Sequence, residues 1–397
     1  MSLYFDNAAT MPVHPKALAA MLPFLEHDFG NPSSVYAAGR KVRQAIDESR
    51  KIVADAIGAS PDEIHFTSGG TEADNWAVRG VLEWKGAGRG TMPHVITSSV
   101  EHHAIHDLCE YLAKQGFCTV TFIPVDAQGL VSLDAIESAI TPDTCLISVM
   151  SANNEIGTIQ PIKEISAIAK KHNVIFHTDA VCCVGHTHVD VNEWGVDALS
   201  LSAHKFGGPK GAGALYVRKG TRISPIFRGG AQEKSRRPGT ENVIGIIGMG
   251  AALTVSLEDM HAEAMRQAEL RDTLIKRILE EIPHTILNGP PPGENRLPSN
   301  VNISFRFIEG ESLLLHLDMQ GCAASTGSAC SSGSLDPSHV LMAIGLDHEL
   351  ANGAIRFSLG RNNTAEDIDK LVSILKNAVS RLRDLSPLYD DYVKSEN

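Results

Sequence analysis

No Cys-x-x-Cys pair occurs in the 397 residues, and the seven cysteines (Cys109, Cys118, Cys145, Cys182, Cys183, Cys322 and Cys330) are an odd number scattered along a long chain. That excludes a disulfide framework and the usual zinc and dithiol-redox signatures, and leaves only a single thiol in a special setting. His186-x-His188 beside the cysteine pair has the spacing of no standard metal site. Basic residues are outnumbered, 35 against 47 acidic ones, for a formal charge of −12 with no local basic patch. Such a surface repels phosphate backbones and anionic membranes, so no direct nucleic-acid partner and no membrane are expected. The longest apolar stretch, Val243 to Leu257, is broken by three glycines and falls short of the ~20 residues that a bilayer requires. The first residues, Met1 to Asp6, lack the charged-then-apolar layout of a secretory signal, and the expected location is cytoplasmic. With 34 glycines and 19 prolines, no repeat and no low-complexity run, neither a fibrous nor a disordered chain is indicated.

What is present is ordinary globular composition, 43% hydrophobic and 21% charged, on a chain long enough for two domains. Between about residues 60 and 220, strand-like runs at His94–Ser98, Phe117–Val125, Cys145–Met150, Val174–Asp179, Ala198–Ser202 and Ala214–Val217 alternate with helical stretches at Leu133–Ile140 and Ile162–His172. The expectation is an α/β fold, a large domain with a mostly parallel central sheet covered on both faces. A second pattern follows: helix His261–Ile282, strand Val301–Phe305, helix Gly310–Gln320, strand Ile355–Leu359 and helix Ala365–Leu382. It reads as a smaller C-terminal α+β domain over 261–397, after a large domain over 16–260 and an N-terminal segment, 1–15, packing with the small domain.

Ligands of open α/β sheets collect at the carboxyl ends of the strands, and here those ends are polar. Phe66 to Glu72, with Gly69, Gly70 and Thr71, is a small-residue turn into a helix: either a plain cap or a seat for phosphate, without the lysine of a P-loop or the spacing of a dinucleotide fingerprint. His102 follows the next strand, where an imidazole either bonds backbone or packs flat on an aromatic ligand and moves protons. Val174–Asp179 delivers a carboxylate directly after an apolar run, and something positive is expected opposite Asp179, because unpaired burial is costly. Lys205, just past the strand Ala198–Ser202 and beside Ser202 and His204, stands in a setting that suits Schiff-base chemistry. A phosphate seat, a stacking imidazole, an acid for a ring nitrogen and an amine for an aldehyde are together what pyridoxal 5'-phosphate requires.

The motifs Phe5-Asp6-Asn7-Ala8-Ala9-Thr10, Gly30-Asn31-Pro32-Ser33-Ser34, Thr67 to Asn75, Glu101-His102, Asn153-Asn154-Glu155-Ile156-Gly157, Ser202-x-His204-Lys205, Arg237-Pro238-Gly239-Thr240 and Ser325-Thr326-Gly327-Ser328-Ala329-Cys330 resemble those of the cysteine desulfurases. These are a branch of the class-V aminotransferases with the fold-type-I architecture of pyridoxal-phosphate-dependent transferases. The motifs occur in family order over nearly the whole chain. Arg381 to Leu388 further resembles the housekeeping enzymes that feed iron–sulfur cluster assembly.

The resemblance implies that Lys205 carries the cofactor, Asp179 partners its pyridine nitrogen and His102 stacks on its ring. It implies that Gly70, Thr71, Ser202 and His204 hold the phosphate, with Thr240 reaching the phosphate of a neighbouring subunit in a homodimer. Asn31, Asn154 and Arg356 would grip the substrate carboxylate, and Cys330 would take sulfur from L-cysteine as a persulfide, leaving L-alanine. Acceptors would be iron–sulfur scaffold or other sulfur-acceptor proteins, including those of tRNA thiolation. No resident metal is implied, although the Cys330 persulfide can serve as a transient iron–sulfur ligand. Small residues around Cys330, Ser325 to Ser334, suit a mobile loop. One position departs from the family. Cys182 stands where a glutamine usually meets the ring's phenolic oxygen, and a thiol is a weaker, shorter donor; it is either a simple substitution or a second reactive thiol. Alternatives are a class-V aminotransferase or selenocysteine lyase on the same scaffold, or a non-catalytic sulfur carrier.

Overall fold

The computed structural model describes residues 3–86, 91–326 and 337–396. Seven strands, β1 (Ile64–Thr67), β2 (His94–Ser98), β3 (Thr119–Ile123), β4 (Thr144–Ser148), β5 (Ile175–Asp179), β6 (Ala198–Ser202) and β7 (Gly213–Val217), form one sheet in the order β1-β7-β6-β5-β4-β2-β3. Only β7 runs against its neighbours. Every residue of β2, β4, β6 and β7 is buried. This is the signature of a sheet covered on both faces, which needs near-continuous apolar runs rather than alternation. The strand expected over Phe117–Val125 is shorter, Thr119–Ile123. It lies at the sheet edge, where only one neighbour holds the backbone.

Helices cover the sheet because their apolar stripes recur at helical spacing. In Ala37–Ala56 the buried positions include Val42, Ile46, Ser49 and Val53, a period of three to four residues that turns one face inward. Val243–Glu258 is buried on most sides, with Gly245, Ile246, Gly248, Met249, Gly250 and Leu253 inside. Its glycines let neighbours approach: a Cβ at Gly250 would meet Ser49 Cβ at 3.1 Å. The long apolar stretch is thus a core helix, and no single helix among the described residues is long and apolar enough to cross a membrane.

At Asp259 the chain bends by 72° into Met260–Glu281 and passes from one core to another. Ile246, Met249 and Leu253 belong to the core of the large sheet. Leu274, Ile275 and Ile278 pack instead with Val301, Ile303, Phe305, Ile355 and Phe357. These last residues lie in a four-stranded antiparallel sheet ordered Ser325–Thr326, Ala354–Ser358, Asn300–Phe305, Thr285–Leu287. The N-terminal strand Leu3–Tyr4 pairs in parallel with Cys322–Ala323, and Phe5 is fully buried in this second core. The N-terminal segment therefore runs from the small sheet towards the carboxyl ends of the large one.

Candidate active site

Five strands of the large sheet release their chains on the same edge, and the residues they release meet in one cavity of about 290 Å³. That is about the lower bound for small-ligand sites. The cavity is lined by Ala8, Ala9, Gly70, Thr71, Asp74, His102, Met150, Asn154, Asp179, Val181, Cys182, Ser202, His204, Lys205 and Arg356. Ten of the residues singled out in the sequence are in that set. Asn31 and Thr240 are not: both are exposed, and Asn31 Oδ1 is engaged with the Ser33 N–H at 2.9 Å. Cys330 lies outside the described residues.

At one end of the cavity, β1 turns into the helix Gly70–Gly86. The first turn of a helix leaves N–H groups without intrahelical acceptors, a setting that favours an anion. Gly70 is required there, because a Cβ would stand 2.8 Å from Val181 Cγ2 and force apart the helix start and the segment after Asp179. Glu72 caps Ser68 N at 2.9 Å and receives Arg237 Nε at 2.8 Å, which ties the Arg237–Thr240 segment to this helix. Ser202 ends β6, and His204 follows in a tight turn with its Nδ1 3.2 Å from Thr10 Oγ1. Burial, reinforced by Lys205, pushes His204 down to about 4, so it meets an anion as a neutral donor.

At the other end stands Asp179, the last residue of β5 and 6% exposed. Its Oδ1 accepts from Val181 N at 2.8 Å, and burial raises its pKa to about 6 against the opposing N–H and Lys205 charge. The Val181 N–H is thus its hydrogen-bonding partner, and among the described residues no cationic side chain forms an ion pair with Asp179. Lys205 Nζ turns instead to the carbonyls of Ala8 and Ala9, the latter at 3.1 Å. Those two acceptors, almost two hundred residues away in sequence, hold the amine at the cavity wall.

His102 caps the helix His103–Lys114, its Nδ1 accepting from Ala104 N at 3.1 Å. The backbone bond therefore leaves the proton of the neutral ring on Nε2. Burial, then the Lys205 charge, lowers its pKa to about 4. The backbone-bonded reading of this histidine is the one observed, and the ring also lines the cavity. Cys182 is pushed up to about 12 by burial and is a thiol rather than a thiolate at neutral pH, which weighs against a second nucleophile.

Arg356, in the strand Ala354–Ser358, is 1% exposed. Its guanidinium donates to Asp6 Oδ1 at 3.1 Å and to the Asn154 carbonyl at 3.2 Å, and its Nε has no partner. A buried guanidinium with a donor to spare fits a carboxylate-bearing ligand. Sequence reasoning named Asp74, Ala8, Ala9, Glu101 and Glu155 only as parts of motifs and gave none of them a role. Asp74 carried a signal, because Ala77, Val78 and Val81 share its helical face and are all buried.

The donor set fits pyridoxal phosphate. A helix start with neutral donors suits its phosphate, Lys205 its aldehyde, the flat imidazole of His102 its ring, and a buried carboxylate without an ion pair its ring nitrogen. A model of the family described as aminotransferase class-V matches residues 3–371. The chain belongs to the class-V aminotransferase family. Two relatives named cysteine desulfurase IscS are each 53% identical: one from Methanosarcina thermophila, over 98% of this chain and 94% of its own length, and one from Dictyoglomus turgidum, over 98% of both. Among solved structures, a NifS-like protein superposes with a TM-score of 0.89 at 37% identity, covering 96% of this chain and all of its own. SspA in complex with cysteine superposes with a TM-score of 0.78 at 36% identity, covering 90% of this chain and 99% of its own. This member of the class-V family thus has the fold-type-I arrangement expected of it, a large mostly parallel sheet and a smaller antiparallel one.

Proposed function

We infer that this chain is a pyridoxal-phosphate-dependent cysteine desulfurase of the kind that supplies sulfur for iron–sulfur cluster assembly. The observation that carries the reading is the placement of the Lys205 amine, the buried Asp179 carboxyl, the His102 ring and the Arg356 guanidinium around one cavity. Near-full-length relatives named for that activity support it. The cofactor, when bound, supplies an electron sink for the bond-breaking at the amino acid's Cα and Cβ. Gly70, Thr71, Ser202 and His204 hold its phosphate, and Asp179 keeps its ring nitrogen protonated. Cys182, which lines the same cavity, would meet the ring's phenolic oxygen as a weak donor.

L-Cysteine enters with its carboxylate on Arg356 and Asn154. Lys205 Nζ, released from the Ala8 and Ala9 carbonyls, takes the proton from Cα and later returns one, and His102 Nε2 assists these transfers. The thiolate of Cys330 attacks the substrate sulfur, so an S–S bond forms as the Cβ–S bond breaks. The electron pair of that bond stays on the carbon side, where a proton completes L-alanine. Sulfur remains on Cys330 as a persulfide for an acceptor protein of cluster assembly or tRNA thiolation.

The homodimer belongs to this proposal. Leu18, Leu22 and Leu25 follow the spacing of one helical face on Pro15–Glu26 and are 49%, 43% and 56% exposed, beside Phe29 and Val35 at 83% and 87%. An apolar patch of that kind suits an interface, and a second copy there would bring Thr240 and Asn31 towards a neighbouring site. Cytoplasmic location is likewise part of the proposal. The test is to incubate purified protein with L-cysteine, quantify alanine and map the persulfide by mass spectrometry. Alanine with a persulfide on Cys330 is expected. A keto-acid product, or a colourless protein that stays so with added pyridoxal phosphate, would overturn the reading.

A further inference from the structure

Asp179 has a companion that the proposed chemistry does not use. Asp74 lies four residues past Gly70 in the helix Gly70–Gly86, is 1% exposed, and lines the same cavity. Its Oδ1 has no hydrogen-bond partner and stands 3.6 Å from His177 Nε2. That imidazole is no counter-ion. It is fully buried between Ser148 Oγ on Nδ1 and Ser200 Oγ on Nε2, each at 2.9 Å, and burial pushes its pKa down to about 3.

The other groups facing Asp74 are acids or a hydroxyl: Asp179, Glu101 and Ser200. Glu101 accepts Ser98 Oγ at 2.6 Å and Met150 N at 2.9 Å, and burial still raises it to about 8. Burial first, and then the Asp179 charge, raises Asp74 well above the ordinary carboxylate range, with Ser200 opposing. Two carboxyls in one dry site do not both ionise at neutral pH. Asp179 has the Val181 N–H and the nearby Lys205 charge on its side, whereas Asp74 has one serine hydroxyl.

We propose that Asp74 is a positioning residue that keeps its proton at neutral pH, so that Asp179 is the one ionised carboxylate offered to the cofactor's ring nitrogen. The role assigned to Asp179 rests on the function proposed above; the proton on Asp74 does not. A chain of neutral groups, Ser148, His177 and Ser200 on β4, β5 and β6 and Asp74 on the helix Gly70–Gly86, then backs Asp179 and carries no competing charge.

Infrared difference spectroscopy on the full-length protein reads the proton directly. At pH 7 the wild-type-minus-Asp74→Asn spectrum is expected to show the carbonyl band of a protonated carboxylic acid. Carboxylate bands in its place would overturn the proposal. In holoprotein, Asp74→Asn keeps a neutral side chain, so the pH midpoint of the cofactor's absorbance is expected to stay put. A downward shift of about one unit or more, the size of effect a neighbouring like charge exerts, would show that Asp74 had been charged and would also overturn it. Should Asp74→Asn fail to fold, Asp179→Asn asks the same question, because removing the neighbouring charge is expected to lower the pH at which the Asp74 acid band is lost. An unmoved band there refutes the coupling. A protein that shows the band but never takes up pyridoxal phosphate refutes the proposed function and leaves the proton assignment standing.

Discussion

Glu155 offers a quantitative check on the electrostatics of this site. Its side chain is 5% exposed, one residue past Asn154, and one carboxyl oxygen accepts from Ser338 Oγ at 2.5 Å. Burial raises its pKa to about 7, against the opposing Ser338 bond and the charge of Arg356. In the unfolded chain the same group titrates near 4.5. The folded form therefore holds the proton more tightly. Stability from this group is intact below about pH 4.5 and is lost as the pH rises towards 7. At about 1.4 kcal/mol per unit, the loss is on the order of 3 kcal/mol. Glu155→Gln keeps an acceptor for Ser338 and removes the titration, so the variant should match wild type at pH 5 and exceed it at pH 8. With about 2.1 cal/mol/K of unfolding entropy per residue over the chain, 3 kcal/mol corresponds to roughly 4 °C in Tm. Thermal unfolding at the two pH values, by circular dichroism on the same protein batch, is the assay. Comparing variant with wild type at each pH cancels the contributions of Glu101 and Asp179, which titrate in the same direction. An equal Tm difference at pH 5 and pH 8, or none at pH 8, would show that burial does not hold this proton.

Arg356→Gln removes two charge-assisted hydrogen bonds to the substrate carboxylate, each worth about 1.5–3 kcal/mol, so kcat/KM for L-cysteine should fall by a factor on the order of 10² or more while the cofactor stays bound; a loss under tenfold would reassign carboxylate binding. Cys330→Ser should bind the cofactor normally and release no persulfide sulfur, as read by trapping with an alkylating thiol reagent. Lys205→Ala should abolish borohydride-fixable cofactor, and peptide mapping that finds label on another lysine would refute that role. Cys182→Gln should move the absorbance maximum of the bound cofactor, because an amide donates more strongly to the phenolic oxygen than a neutral thiol does. An unchanged spectrum would place Cys182 away from the ring.

Much of the architecture was legible because it is written in local periodicity. The buried runs at His94–Ser98 and Ala198–Ser202 became strands at the expected residues, and the helix expected over Ala365–Leu382 formed as Ala365–Arg383, begun by a Thr364–Asp367 capping box, although it does not close the chain, since a further helix, Pro387–Glu396, follows it. Those features depend on neighbours within one or two turns of chain. The cavity residues at strand ends, Asp179, Ser202 and Lys205, were legible for a related reason: in a parallel sheet every strand ends on the same edge. Asn31 and Thr240 escape that logic, since nothing in a single chain draws their exposed side chains to the cavity.

The chain's own letters therefore determined the order of elements, the edge at which ligand groups gather and the residue types available there. Tertiary packing alone decided which groups meet: the Lys205 amine with the Ala8 and Ala9 carbonyls, Arg356 with Asp6, and Asp74 with the environment of Asp179. The physical reason is that a side chain's preferred structure is set by its neighbours along the backbone. Its protonation and its partners are set by what the whole fold excludes water with, and here those groups lie up to 350 residues away.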